Sequence, residues 1–219
     1  MPTQPYEIEG EKIPSVTQIL GMLGWKTYGL TWWAWNLGKE GKDLRGEREA
    51  LATVGTLAHA MAACHIRGHD PEPVLEDVLR EEATKVRGAF DAYLAWRNST
   101  KLELVGSEVS LVSATHRFGG TMDAVGMLAG APALLDFKSA KALYPDVIVQ
   151  LAAYSALWDE HHPDLFIRSW HVLRWAEDGS FAHHSIPERK IQAGWEVFKH
   201  ARAIYDLKKT IEGKERRAA

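Results

Sequence analysis

Cysteine is almost absent from this chain, with Cys64 the only one. A disulfide framework is therefore excluded, and so is any zinc or iron–sulfur site held by four cysteines of one chain. Long apolar runs are missing too. None approaches the ~20 residues that a membrane-spanning helix needs, so no membrane partner is expected. The opening MPTQPYEIEGEK has neither a basic stretch nor an apolar one, and does not read as a secretory signal. A cytoplasmic protein is expected. Nor is there an excess of positive charge. The formal net charge is −3, whereas a protein that coats nucleic acid is usually basic. Any nucleic-acid role must rest on a local patch and on cations that offset carboxylates. One basic stretch exists: from Arg189 onward, nine Lys/Arg stand against four Asp/Glu.

What is present is ordinary globular composition. With 219 residues, 46% of them hydrophobic, the chain can bury a sizeable core in one domain. Residues 1–13 read as extended or disordered. Ser15 is a plausible N-cap for a helix over VTQILGML. A second helical stretch carries Trp25, Trp32, Trp33 and Trp35, which read as core, with base stacking physically open to them. Helices are expected from about Glu47 to Ile66 and from about Val74 to Trp96. The pattern then changes. LELVGSEVSLVS alternates and is rich in β-branched residues, and FGGTMDAVGML and APALLDFKS follow, separated by Gly and Pro turn signals, so that three consecutive strands are expected. Pro145-Asp146 opens an apolar helix, two more strands are expected in LFIRSWHVLRW and SFAHHSIP, and a last helix follows Pro187 to about Glu212. No repeat and no long linker is visible. The expectation is one α/β domain over 1–219, with a helical part over 14–98 and an α/β core over 101–219.

The chemistry concentrates between residues 108 and 154. Asp136 and Lys138 are two apart on a strand, so both emerge on one face while Leu135 and Phe137 take the other. An acid and a lysine inside an apolar strand are costly to bury unless paired or bound to a metal. The short connection from the preceding strand brings Asp123 beside Asp136. Adjacent carboxylates repel unless a divalent cation sits between them, and hard oxygen ligands suit magnesium or manganese. On repulsion alone, Asp136→Ala should leave the fold largely intact. A carboxylate-held ion with a lysine beside it fits phosphodiester hydrolysis. Gln150 and Tyr154, four apart on the next helix, are polar tips on an apolar helix, placed to reach the same site.

Taken together, Gly119-Gly120-Thr121-Met122-Asp123, Leu134-Leu135-Asp136-Phe137-Lys138-Ser139-Ala140-Lys141 and Gln150-Leu151-Ala152-Ala153-Tyr154 resemble the RecB-type branch of the PD-(D/E)XK nucleases. Gly55-Thr56-Leu57-Ala58-His59 resembles that branch's helical histidine motif, and Ser15-Val16-Thr17-Gln18-Ile19-Leu20 its usual opening. The motifs span roughly residues 14–160, in the order found in that branch. The resemblance implies a restriction-endonuclease-like core, a mixed central sheet flanked by helices. It implies that Asp123 and Asp136 are metal ligands, Lys138 the catalytic lysine and His59 a further ligand favouring manganese. Glu108 matches an acidic position often found before the first metal aspartate, and the Phe137 backbone carbonyl would complete the site, which would hold one or two Mg2+ or Mn2+ ions. Gln150, Tyr154, Ser139 and Lys141 would contact DNA. Some relatives carry a four-cysteine iron–sulfur cluster, which this chain cannot hold, so it resembles the cluster-free single-domain exonucleases of phages and of mitochondrial genome maintenance.

The resemblance points to a metal-dependent exonuclease of DNA recombination, repair or phage replication, acting on DNA that is single-stranded or has free ends. No helicase motif is present, so any motor, or a recombination partner, is a separate chain. Two rivals stay open: a catalytically silent DNA-binding module and a restriction-type endonuclease. Residue by residue, Asp136 and Lys138 could be an edge-strand ion pair, Asp123 a turn residue and His59 a structural histidine, although the small Gly55, Ala62 and Ala63 at helical spacing from His59 permit close approach to another element and favour ligation. Glu108 stands between ligand and structural partner, and Gln150 with Tyr154 could cap a core-facing stripe.

Overall fold

The computed structural model describes residues 5–139, 143–175 and 181–213, without the side chains of 48–53, 55 and 139. The chain begins with a small hairpin, β1 (Glu7–Ile8) and β2 (Glu11–Lys12), where only extended or disordered chain was expected. Four helices follow: α1 (Val16–Leu20), α2 (Thr27–Lys39), α3 (Leu44–Ile66) and α4 (Arg80–Thr100). Then come β3 (Glu103–Ser113), β4 (Phe118–Leu128), β5 (Ala131–Ser139), α5 (Asp146–His161), β6 (Ser169–Trp175), β7 (Phe181–Ile186) and α6 (Glu188–Ile211). The five strands β3 to β7 form one sheet in sequence order, antiparallel except for the β5–β6 pair. This is the mixed sheet flanked by helices that was expected. A parallel pair needs a crossover connection, and α5 supplies it.

Alternation along β5 sorts the core into two layers. Leu134 faces α1, α5 and α6 together with Met122, Trp170 and Val172. Ala133, Leu135 and Phe137 face α3 and α4, together with Met61, Phe90, Tyr93 and Trp175. Helix α5 is buried on most sides, with Leu151, Ala153 and Leu157 fully enclosed between the sheet and α6. Its continuous apolar run, rather than a 3.6-residue stripe, reflects that position.

The amino-terminal segment is tied to the sheet. Ser15 is the expected N-cap and closes a capping box, its Oγ accepting from Gln18 N at 3.1 Å while Gln18 Oε1 accepts from Ser15 N at 2.9 Å. A parallel bridge joins Ser15 to Gly119, and Gly119 N donates to Pro14 O at 3.0 Å. A Cβ at Gly119 would overlap the Tyr6 ring, so glycine is what lets the hairpin lie on β4.

Three expectations change. Trp25, Trp32 and Trp35 are about half exposed and do not form core; Leu37 is the one buried residue of α2. The helix expected from Val74 starts at Arg80, because Pro71 and Pro73 hold residues Glu72–Leu75 in a 3-10 turn. The sixth strand begins at Ser169, after the loop residues 165–168. Among the described residues no helix is long and apolar enough to cross a membrane.

One histidine pair makes the fold sensitive to acid. His171 Nδ1 lies 2.9 Å from His183 Nε2 across β6 and β7, and His171 is 4% exposed. Burial, and then the neighbouring His183, push its pKa down from 6.5 to about 4. Between those values the unfolded chain binds the proton and the folded one does not, so stability present above pH 6.5 is lost as pH falls toward 4. The urea midpoint should drop across that window, and His171→Gln should flatten the drop. A midpoint equally pH-dependent in both proteins would remove His171 as the cause.

Candidate metal and phosphodiester site

The site forms where β4 and β5 part. Their ladder runs from Leu128–Ala131 up to Ala124–Leu135 and stops there, while β5 continues beside β6 as far as Ser139. The next residues of the two strands are Asp123 and Asp136. Where the ladder stops, Phe137 N–H would lack a partner, and Asp123 Oδ2 accepts it at 2.6 Å. A charged acceptor makes this a strong bond. It fixes Asp123 in the gap between the strands.

Glu108 arrives from the other side. The register that pairs Ser107 with Ala124 and Val109 with Met122 sets Glu108 opposite Asp123. It lies in the middle of β3 and has φ +52°. A left-handed conformation is unfavourable for glutamate and marks a constrained position. On α3, His59 is set by the close packing of Ala58, Met61 and Ala62, all essentially buried, and its ring meets Phe137 edge-on at 5.5 Å. His59 Nε2 lies 2.8 Å from Glu108 Oε1 and 3.5 Å from Asp123 Oδ1. One ligand atom from each of His59, Glu108 and Asp123 falls within 4.8 Å of the others.

Asp136 and Lys138 share the α5 face of β5. Asp136 is 1% exposed, and Lys138 Nζ lies 2.6 Å from its Oδ2 and 2.8 Å from its Oδ1, donating to Oδ1. Burial, followed by the Asp123 charge, pushes the Asp136 carboxyl up to about 6 against the pull of Lys138. Burial opposes the charge on Lys138, yet Asp136 and Asp123 outweigh it and raise the lysine. At His59 burial also opposes the charge, and Glu108, Asp123 and Asp136 outweigh it and raise the imidazole. The imidazole holds Glu108 below the usual carboxylate range. Three carboxylates in one pocket are thus matched by one lysine and one histidine.

Does this donor set fit a divalent ion? Two buried atoms answer. His59 Nε2 and Asp136 Oδ2 are enclosed and have no hydrogen-bond partner of good geometry. Each lies beside an opposite charge, Glu108 at 2.8 Å and Lys138 at 2.6 Å, and carboxylates clustered in this way suit a hard cation, with the imidazole adding a softer donor.

Helix α5 closes the site. Gln150 Nε2 donates to Tyr154 Oη at 2.9 Å, so the two residues act as a pair. A Cβ at Gly120 would come within 2.6 Å of Tyr154 Cε1, so only glycine admits the ring against β4. Burial, and then the Asp123 charge, raise the Tyr154 pKa, keeping the phenol protonated. Of the other expected residues, Ser139 ends β5 with its side chain outside the described residues, and Lys141 lies outside them altogether. Tyr6, which sequence reasoning missed, bonds Thr121 Oγ1 through its hydroxyl at 2.7 Å and borders the same region. No periodicity announces a two-residue strand, so nothing in the sequence flagged it.

No family model and no curated protein matches the sequence. Solved structures do. A protein from Eubacterium rectale, described as a candidate exonuclease, is similar over 74% of this chain and 69% of its own, with a TM-score of 0.52 and 8% identity. An alkaline exonuclease from Laribacter hongkongensis is similar over 74% of this chain and 98% of its own, with a TM-score of 0.34 and 12% identity. Its complex with dAMP gives a TM-score of 0.34 and 14% identity. The first similarity bears on the fold alone, and the other two carry no argument.

The buried pair revises the expectation that Asp136→Ala leaves the fold intact. Truncation would strand Lys138, whose side chain is only 24% exposed. Asp136→Ala should cost about 2–4 kcal/mol in urea unfolding. Adding Lys138→Ala should recover part of it, with a coupling of about 1 kcal/mol or more in a double-mutant cycle. Strictly additive losses would mean that the two residues do not stabilise each other.

Proposed function

We propose that this chain is a divalent-metal-dependent deoxyribonuclease of the PD-(D/E)XK type, a single domain hydrolysing phosphodiester bonds from DNA ends. The observation that carries the reading is the convergence of His59, Glu108 and Asp123 beside the buried Asp136–Lys138 pair at one parting of two strands. His59, Glu108, Asp123 and Asp136, with the Phe137 backbone carbonyl, would hold Mg2+ or Mn2+. A bound divalent ion supplies positive charge to the phosphate and lowers the pKa of its water. Without such a charge, three carboxylates would repel a phosphodiester.

The chain's own groups have separable tasks. Lys138 projects toward Gln150 and Asp146, where its ammonium can orient a water and offset charge building on the phosphate. Tyr154 accepts from Gln150, which leaves its own proton available to a phosphate oxygen. Gln150 and Tyr154 therefore hold the strand, with Ser139 and Lys141 as further DNA contacts. The preference for ends draws on the fold shared with the Eubacterium rectale protein, described as a candidate exonuclease. Work in recombination, repair or phage replication, in the cytoplasm and beside a separate helicase or recombination protein, fits such an activity.

End-labelled single- and double-stranded DNA, digested with Mg2+, with Mn2+ and with chelator, tests the reading. Release of label should need the divalent ion, and Lys138→Ala should lower kcat at least about a hundredfold while DNA binding changes little. Chelator-resistant cutting would overturn the metal assignment. Nicking of closed circular plasmid would favour a restriction-type endonuclease, and DNA binding without cleavage a silent module.

His59 gives a separate expectation. Imidazole is a softer ligand than carboxylate, and manganese accepts it more readily than magnesium. His59→Ala should raise the metal concentration for half-maximal activity and narrow any manganese advantage, with an unchanged circular dichroism spectrum. Identical titrations for both proteins would leave His59 as a packing residue.

A further inference from the structure

Two cavities flank the Gln150–Tyr154 pair. One, of about 610 Å3, runs from Tyr6, Thr121 and Tyr154 to Tyr205 and Lys209 on α6. The other, of about 510 Å3, runs from Lys138 and Gln150 to Trp25 and Lys26 at the start of α2. Thr17 of α1 lines both, and Gln150 of one bonds Tyr154 of the other, so the two adjoin there as arms of a trough beside the site.

The walls alternate rings and cations. Lys12 and Lys209 line the larger arm, and among the described residues no carboxylate does. Lys209 Nζ rests 4.8 Å from the Tyr205 ring centre and, among the described residues, pairs with no carboxylate. In the smaller arm Lys26 is held by Asp146 at 2.6 Å, and the indole of Trp25 is 46% exposed. An exposed indole at one end and an uncommitted ammonium at the other are the two elements by which proteins hold unpaired nucleic acid: ring faces for bases, cations for phosphates. Volumes of this size take about one or two nucleotides each.

We infer that this trough binds a single strand of DNA running across the site, with a base stacked on Trp25 at one end and a phosphate on Lys209 at the other. The inference rests on the nucleic-acid reading of the site and names its substrate class: an unpaired strand or overhang. Tyr6 borders the larger arm and Tyr154 stands where the arms meet, so the strand passes the Asp136–Lys138 pair between its two holds.

Fluorescence anisotropy of a labelled oligo(dT), with Ca2+ in place of Mg2+, reads binding without cleavage. Trp25→Ala should raise Kd at least about fivefold. Lys209→Ala should weaken binding and reduce the slope of log K against log salt by about 0.7. Lys190→Ala, an exposed lysine on the same helix outside the trough, should change neither. A blunt duplex should bind more weakly than oligo(dT) and respond less to Trp25→Ala. Wild-type affinity in both trough variants would overturn the inference, as would a blunt duplex bound as tightly as the single strand. Loss of binding in both variants of a protein that cleaves nothing with any metal would uphold the trough and reject the nuclease.

Discussion

The bond from Phe137 N–H to Asp123 is the interaction on which the site depends. A sheet whose strands separate leaves backbone groups without partners, and buried groups of that kind are costly. Here a side chain takes the place of the missing strand. The carboxylate thereby lets β4 and β5 diverge at the point where an opening is needed. Everything else is arranged around that opening: Glu108 from the outer strand, His59 from α3, the Asp136–Lys138 pair from β5 and the Gln150–Tyr154 pair from α5.

Electrostatics and packing constrain each other. Three acids cannot share a buried space without compensation, and the compensation comes from opposite faces of the sheet. Lys138 reaches Asp136 on the α5 face, while His59 reaches Glu108 and Asp123 from α3. The buried aliphatic neighbours, Leu134 on one face and Leu135 on the other, hold β5 in the register that makes this possible. A one-residue slip would exchange the faces, burying the lysine against Tyr93 and Trp175 and turning Phe137 toward the trough.

The sequence made the central strands legible because their alternation is strong and because Gly and Pro mark their ends. Asp123, Asp136 and Lys138 could be placed together from the short hairpin alone, and His59 from the small residues beside it. Other features depend on relationships that no local pattern carries. The His171–His183 contact is diagonal across two strands and needs the register of β6 with β7. The tryptophans of α2 looked like core because apolar residues usually are. That helix has apolar residues on all sides, and the fold covers only Leu37. The positive φ at Glu108 leaves no trace in sequence, since neither glycine nor asparagine stands there. Its place opposite Asp123 likewise emerges only from the pairing with β4.

The kink at Glu108 matters beyond the cluster it joins. β3 is eleven residues long and stands at the edge of the sheet, so among the described residues one side of its backbone has no partner strand. A straight edge of that length is a template on which another chain can add itself. Left-handed backbone at mid-strand, with the register shift between Leu104 and Gly106, breaks the edge into shorter segments. The residue that turns a carboxylate toward Asp123 and His59 thus also denies a neighbouring molecule a continuous ladder, which works against edge-to-edge aggregation.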